Sequence, residues 1–247
     1  MRILFLTILV AMCWCFPGLT ISAQETAETA AEEYQLLTPF DRFSKKETTY
    51  VTLQDGTELS GRIKDFDRKK GQVKYVKLIG DDGQTYKLKS NELKQMYVQP
   101  TAFQKLGALA QRISDAKSWS RDIDADIINR GYVLLEATPV RLGKKTKSLL
   151  LQVLNPNFSN GAKVYHDVFA KSTAGLGIGG ITVVGGDEKS YYFKKAGDEA
   201  AYRLKKKDYK RDYAVIFSDC PTIATMDNVK WTDFAKHVQL YGQECVK

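Results

Sequence analysis

Histidine and cysteine are scarce in this chain of 247 residues, with two of the first and four of the second. His166 and His237 are far apart in sequence, and neither sits in an H-x-x-x-H, C-x-x-C or calcium-loop spacing. The common frameworks for zinc and calcium are therefore not written here, and no metal ligand is assigned. There is no G-x-S-x-G elbow, and no spaced Asp/Glu pair stands out among the 29 acids, so hydrolase chemistry is unsupported. No catalytic residue and no cofactor is assigned. A second long apolar run is also missing, so beyond the N-terminus no stretch is suited to span a membrane.

The first 23 residues differ from the rest. Arg2 is a lone cationic start, Ile3 to Cys15 is almost continuously apolar, and Pro17-Gly18 breaks the run before Ile21-Ser22-Ala23. The apolar core is shorter than the roughly 20 residues that cross a bilayer, which predicts a cleaved export signal over 1–23. A lipid anchor on Cys13 or Cys15 is the rival reading, although Met12 and Trp14 are not the small residues it wants before the cysteine. Cleavage removes one charge, Arg2, and takes the chain from +8 to +7. The expected location is periplasmic or on the outer surface. Cys220 and Cys245 are left, and an even pair in an exported chain is first of all a disulfide. A Cys–His nucleophile pair drawn from either cysteine with His237 is the alternative.

What is plentiful is β pattern. After an acidic, alanine-rich lead-in over 24–46, apolar residues alternate through Val51 and Leu53 to the turn Asp55-Gly56, then through Leu59 and Ile63. Val73 and Tyr75 share one parity and Val76 and Leu78 the other, a slip that a bulge produces. Asp81-Asp82-Gly83 turns the chain into Tyr86 and Leu88, and Met96 to Val98 makes a fifth strand. Phe103, Leu106, Ala110 and Ile113 then recur at helical spacing. We expect a small barrel plus helix over 47–118. Gly56, Gly61, Phe66 and Asp67 resemble the first signature of Sm-like barrels. The residues that hold RNA bases in that family are missing, because Arg68-Lys69-Lys70-Gly71 and Glu92-Leu93-Lys94 stand in their places. The resemblance implies a small-barrel topology, Sm-like or SH3-like, without RNA binding, and no nucleic-acid partner is expected.

Residues 126–247 predict an α+β module. Tyr132 to Leu142, Ser148 to Leu154, Lys163 to Val168, Ser190 to Phe193 and Ala200 to Leu204 read as strands of a mixed sheet. Two helices follow, carrying Tyr209, Tyr213, Ile216 and Phe217 on one face and Trp231, Phe234, Val238 and Tyr241 on another. Gly175 to Gly180 matches G-x-G-x-x-G by letter. The β-branched residues Ile181 to Val184 after it favour a strand over the helix that a dinucleotide site needs, so a close-packed strand or an apolar loop is expected. The Tyr191-to-Lys195 strand, the basic helix, Asp219-Cys220-Pro221 and the near-terminal cysteine resemble uncharacterised exported proteins of Gram-negative bacteria. That resemblance implies export and a Cys220–Cys245 disulfide.

Arg203, Lys205, Lys206, Lys207, Lys210 and Arg211 form the densest cationic run, interrupted by Asp208 and Asp212, with Lys144, Lys145 and Lys147 as contributors if the fold brings them near. Such a face is either a solvated helix flank or a binder of anionic lipids, glycans or phosphates. The function expected is a non-catalytic binding or interaction protein of the cell envelope, partnered by an envelope protein or an anionic surface component. The alternatives are polyanion binding through residues 203–211 and an enzyme with a cryptic site.

Overall fold

A computed structural model describes residues 35–101, 119–170, 177–178, 181–182 and 188–246. The expected export signal, the acidic part of the lead-in, the helix expected after Thr101 and most of the glycine-rich run lie outside the described residues. The chain is mainly β: a seven-stranded antiparallel sheet, a three-stranded sheet and C-terminal helices.

The first sheet holds β1 (Thr48–Leu53), β2 (Glu58–Lys69), β3 (Gln72–Gly80), β4 (Thr85–Lys89), β5 (Leu93–Val98), β6 (Val133–Leu142) and β7 (Lys145–Gln152), in the order β4-β3-β2-β1-β5-β6-β7. Its first hairpin turns at Asp55-Gly56, where Asp55 Oδ1 accepts the Thr57 amide at 2.9 Å and Gly56 takes φ +88°. The parity slip read in β3 is a bulge. The β2–β3 register shifts between Asp67 and Arg68, and Val73, Val76 and Leu78 are all buried. A second shift between Ile63 and Asp65 bends β2 again, and the sheet curls until Lys147 of β7 donates to Gln72 Oε1 of β3 at 3.4 Å. Inside the curl lie Phe40, Phe43, Val51, Ile63, Leu78, Leu93, Met96, Val133, Leu135 and Leu150. The second half of the lead-in is thus part of this core.

Two expectations change here. No ladder among the described residues joins β4 to β5 or β7, so five strands do not close on themselves and the sheet stays open. The strands read as the start of the C-terminal module, β6 and β7, instead extend this sheet, because Val98, Tyr97, Met96 and Gln95 pair in register with Val133, Leu134, Leu135 and Glu136. The free edge of β5 was open to a partner, and β6 brings the right alternation of apolar residues to it.

The second sheet holds β8 (Ala162–His166), β11 (Ser190–Lys195) and β12 (Tyr202–Lys205), in the order β12-β11-β8. It is antiparallel throughout and not mixed. Between β8 and β11, β9 (Gly177–Ile178) and β10 (Ile181–Thr182) form a short antiparallel pair. Tyr165 and Tyr192 point to one side of the second sheet, where they meet Leu134, Val140, Leu149 and Leu151 on the outer side of β6 and β7. Val164 and Phe193 point to the other side, against the helices. Those helices follow a five-residue α1 (Ala125–Asn129), capped by Asp124. They are α2 (Lys206–Ile216), the single turn α3 (Pro221–Ala224) and α4 (Phe234–Glu244). Tyr209, Tyr213, Phe217, Phe234 and Tyr241 form an aromatic layer, joined by Val238, on the faces that the helical spacing predicted.

Cys220, at the start of α3, and Cys245, just after α4, stand at disulfide distance with Cα atoms 5.6 Å apart. Replacing both by serine should lower stability by about 3.5 kcal/mol, read as a lower Tm, since the closed loop removes that much chain entropy from the unfolded state. Gly61 packs so closely on β3 that a Cβ would collide with the Ile79 carbonyl oxygen and lie 2.7 Å from Gly80 Cα. Gly61→Ala should cost about 1–3 kcal/mol in urea denaturation, the price of overpacking a strand contact that the backbone must yield to.

Candidate functional site

The six cations singled out in the sequence divide into two groups. Arg203 and Lys205 share one side of β12, the side that faces the first sheet, because side chains two apart on a strand point the same way. Lys206, Lys207, Lys210 and Arg211 lie exposed on α2, whose other side buries Tyr209 and Tyr213. On the helix, Arg211 is paired, to Asp212 at 2.7 Å and to Asp208 at 3.2 Å. Lysines in the first turn of a helix oppose its dipole, and Asp208 in the same turn offsets them.

The β12 pair meets cations that sequence reading placed elsewhere. The β6–β7 hairpin turns through Gly143-Lys144, with Leu142 opposite Lys145 and Gly143 at φ +65°, the positive angle that a two-residue hairpin turn requires at its first central position. Ala201 anchors this hairpin beside β12: it donates its amide to Pro139 O and accepts from the Arg141 amide, both at 2.8 Å. The result is a cleft of about 510 Å³ lined by Arg141, Leu142, Gly143, Phe169, Tyr192, Arg203 and Lys205. Arg141 was missed by the sequence reading, which named only the neighbouring lysines. Its signal, a cation beside a hairpin glycine, is a common one, and only the Ala201 contact gives it meaning.

Beneath the cleft, Asp167 is completely buried. Its Oδ2 accepts from Ser190 Oγ at 2.6 Å and from Arg203 Nε, and its Oδ1 accepts the Phe169 amide at 3.0 Å. A buried carboxylate needs this many donors, and the arrangement holds the Arg203 guanidinium by one nitrogen only. Tyr192 is fully buried, and the only acceptor its hydroxyl approaches among the described residues is the Asp167 carboxylate, outside good hydrogen-bond geometry. Burial first, and the adjacent Asp167 charge second, push its pKa up to about 12. The phenol is therefore a neutral donor at physiological pH. Arg141 and Lys205 are exposed and have no ion pair among the described residues.

A second group of titratable residues lies along the same end of the second sheet. Burial, with the charges of Asp167 and Asp41, raises Glu188 to about 7. Burial lowers His166, against the raising influence of Asp41 and Asp167. His237 is not available as a catalytic base to a thiol. It is buried in the aromatic layer with Nδ1 2.7 Å from Tyr209 Oη, and Cys220 is matched to Cys245. Among the described residues no three His, Cys, Asp or Glu side chains are grouped to hold a metal ion, and no helix is long and apolar enough to cross a membrane.

No protein-family model matches the chain, and neither a curated protein nor a solved structure does.

Glu188 yields a test of this electrostatic picture. A carboxyl whose folded pKa lies above its ordinary 4.5 opposes folding once ionised, so its contribution is absent at pH 4 and stability falls as pH rises from about 4.5 to 7. Glu188→Gln should raise Tm at pH 8 and leave it unchanged at pH 4, as measured by thermal denaturation at the two pH values.

Proposed function

We propose that the chain is an exported, non-catalytic binding protein of the cell envelope or periplasm that engages an anionic component through its basic face. One observation carries this reading. Arg141 and Lys205, on separate strands and without ion pairs among the described residues, converge with Arg203 on one cleft, and the exposed lysines of α2 continue the same charge outward from β12. Cations in excess of their acid partners, as here where Asp167 offsets Arg203 alone in the cleft, raise the local concentration of anions and hold them in a salt-dependent way. The apolar leader over 1–23 and the Cys220–Cys245 pair both suit an oxidising compartment outside the cytoplasm. Within this proposal β1 to β5 are an SH3-like set of strands, curled but not closed, which β6 and β7 extend at one edge. Its support is the neighbour order of the five strands and the two bulges that curl them.

A second reading, an enzyme with a cryptic site, is favoured by Glu188, since a carboxyl titrating near 7 is suited to proton transfer. Turnover of esters, peptides or glycans that disappears in Glu188→Gln would replace the binding reading. The binding reading itself predicts retention on immobilised heparin that weakens steeply with added salt. Charge reversal of Lys206, Lys207 and Lys210 to glutamate should abolish most of that retention. Elution unchanged by salt or by the triple substitution would overturn the basic-face assignment.

A further inference from the structure

Resting on the binding reading above, a ligand class follows for the cleft itself. We propose that the space between the β6–β7 turn and β12 is a site for a phosphate monoester of sugar size, with Arg141, Arg203 and Lys205 on the phosphate, the Tyr192 hydroxyl as a fourth donor and Phe169 against the ring.

The charge count favours a doubly charged oxyanion. Three cations line the cleft, and the one carboxylate beneath it, Asp167, already receives Ser190, Arg203 and the Phe169 amide. Asp167 uses only the Nε of Arg203, so the terminal nitrogens of that guanidinium are left for a ligand and its plane is fixed. Guanidinium groups offer paired donors that match phosphate oxygens, which a monocarboxylate would satisfy only in part.

Tyr192 supplies an independent pointer. Buried hydroxyls nearly always have a partner. This one lines the cleft and is wholly removed from solvent, and the acceptor beside it, Asp167, is already taken up by Ser190, Arg203 and the Phe169 amide. An acceptor brought by a ligand completes it. The size and walls point beyond a bare phosphate ion. About 510 Å³ falls within the range of small-molecule sites. Leu142 is half-buried there, and Phe169 keeps 38% of its surface exposed, an apolar wall fit for the C–H face of a sugar ring.

The test is calorimetric titration of the full chain with glucose 6-phosphate, inorganic phosphate and glucose. A parallel arm uses phosphatidylcholine vesicles carrying a glycolipid phosphate monoester. Glucose 6-phosphate should bind, inorganic phosphate about tenfold more weakly, and glucose undetectably. Arg141→Ala and Lys205→Ala, both at exposed positions, should each weaken binding by about tenfold, the loss of one charge-assisted contact. Tyr192→Phe removes only an unpartnered hydroxyl, so it should fold with unchanged or higher Tm and still lose about fivefold in affinity. Vesicle binding displaced by glucose 6-phosphate would identify a lipid-borne ester as the ligand, and sugar-phosphate binding without vesicle binding a free one. Either supports the site. Failure of both probes to bind overturns it, as does binding indifferent to Arg141→Ala, Lys205→Ala and Tyr192→Phe. The two proposals separate cleanly. Heparin retention lost in the α2 triple variant, with no sugar-phosphate binding, leaves the basic face and removes the cleft. Sugar-phosphate binding that needs Arg141 and Lys205, with no heparin retention, does the reverse.

Discussion

The two backbone hydrogen bonds of Ala201 are the joint on which the molecule turns. They flank Val140, so that β6, already paired to β5 and β7, also carries the strand entry of β12. A second joint at Val153 and Tyr165 fastens β7 to β8, and Leu154 continues it by donating to Val164 O at 2.8 Å. Between these joints the outer side of the first sheet and the inner side of the second close over Tyr165 and Tyr192, two of the largest fully buried side chains. Burial of that kind contributes about 1.5–3 kcal/mol for each large side chain. The polar ends are held by Lys163, which bridges Glu136 and Asp122 at 2.6 Å each, while the Tyr165 hydroxyl donates to Glu136 at 3.0 Å.

The same junction explains where charge accumulates. At one end of the interface Lys163 is neutralised by two carboxylates. At the other, the turn at Gly143 and the end of β12 bring Arg141, Arg203 and Lys205 together over a single acid that lies buried beneath them. Asp167 works in two directions. It needs Ser190, Arg203 and an amide because a desolvated carboxylate is costly without donors, and in taking them it sets the orientation of Arg203. The Cys220–Cys245 pair and the aromatic layer hold the helices against the opposite side of the second sheet. This fixes the α2 lysines next to β12 without placing them in the cleft.

Much of the fold could be read from residue patterns because those patterns are local. Asp55-Gly56 marks a turn by its own dihedral preferences, the parity slip near Tyr75 marks a bulge, and the spacing of Tyr209, Tyr213 and Ile216 marks a helix face. Each showed in the structure as expected. Tyr191 and Tyr192 point to opposite sides of β11, as adjacent strand residues must. Strand partnership was harder to read. An edge strand such as β5 accepts any neighbour with suitable alternation, and nothing within Leu93 to Val98 says that the neighbour is Val133 to Glu136 rather than a strand that would close a barrel. The candidate site was legible in half. The cationic run named Arg203 and Lys205, whereas Arg141, Phe169, Asp167 and Tyr192 entered only with the topology.

The sequence by itself determined the mainly β character, the hairpin turns, the two aromatic helix faces and the match of Cys220 to Cys245. These follow from dihedral preference, periodicity and cysteine arithmetic, which act over a few residues or need only a count. The tertiary structure alone decided that β6 and β7 complete the first sheet, that the second sheet is antiparallel, and that Arg141 and Lys205 line one cleft with a buried tyrosine. Those outcomes depend on which edges find each other, and the chain settles that through long-range hydrogen bonds such as those of Ala201, whose partners no local pattern encodes.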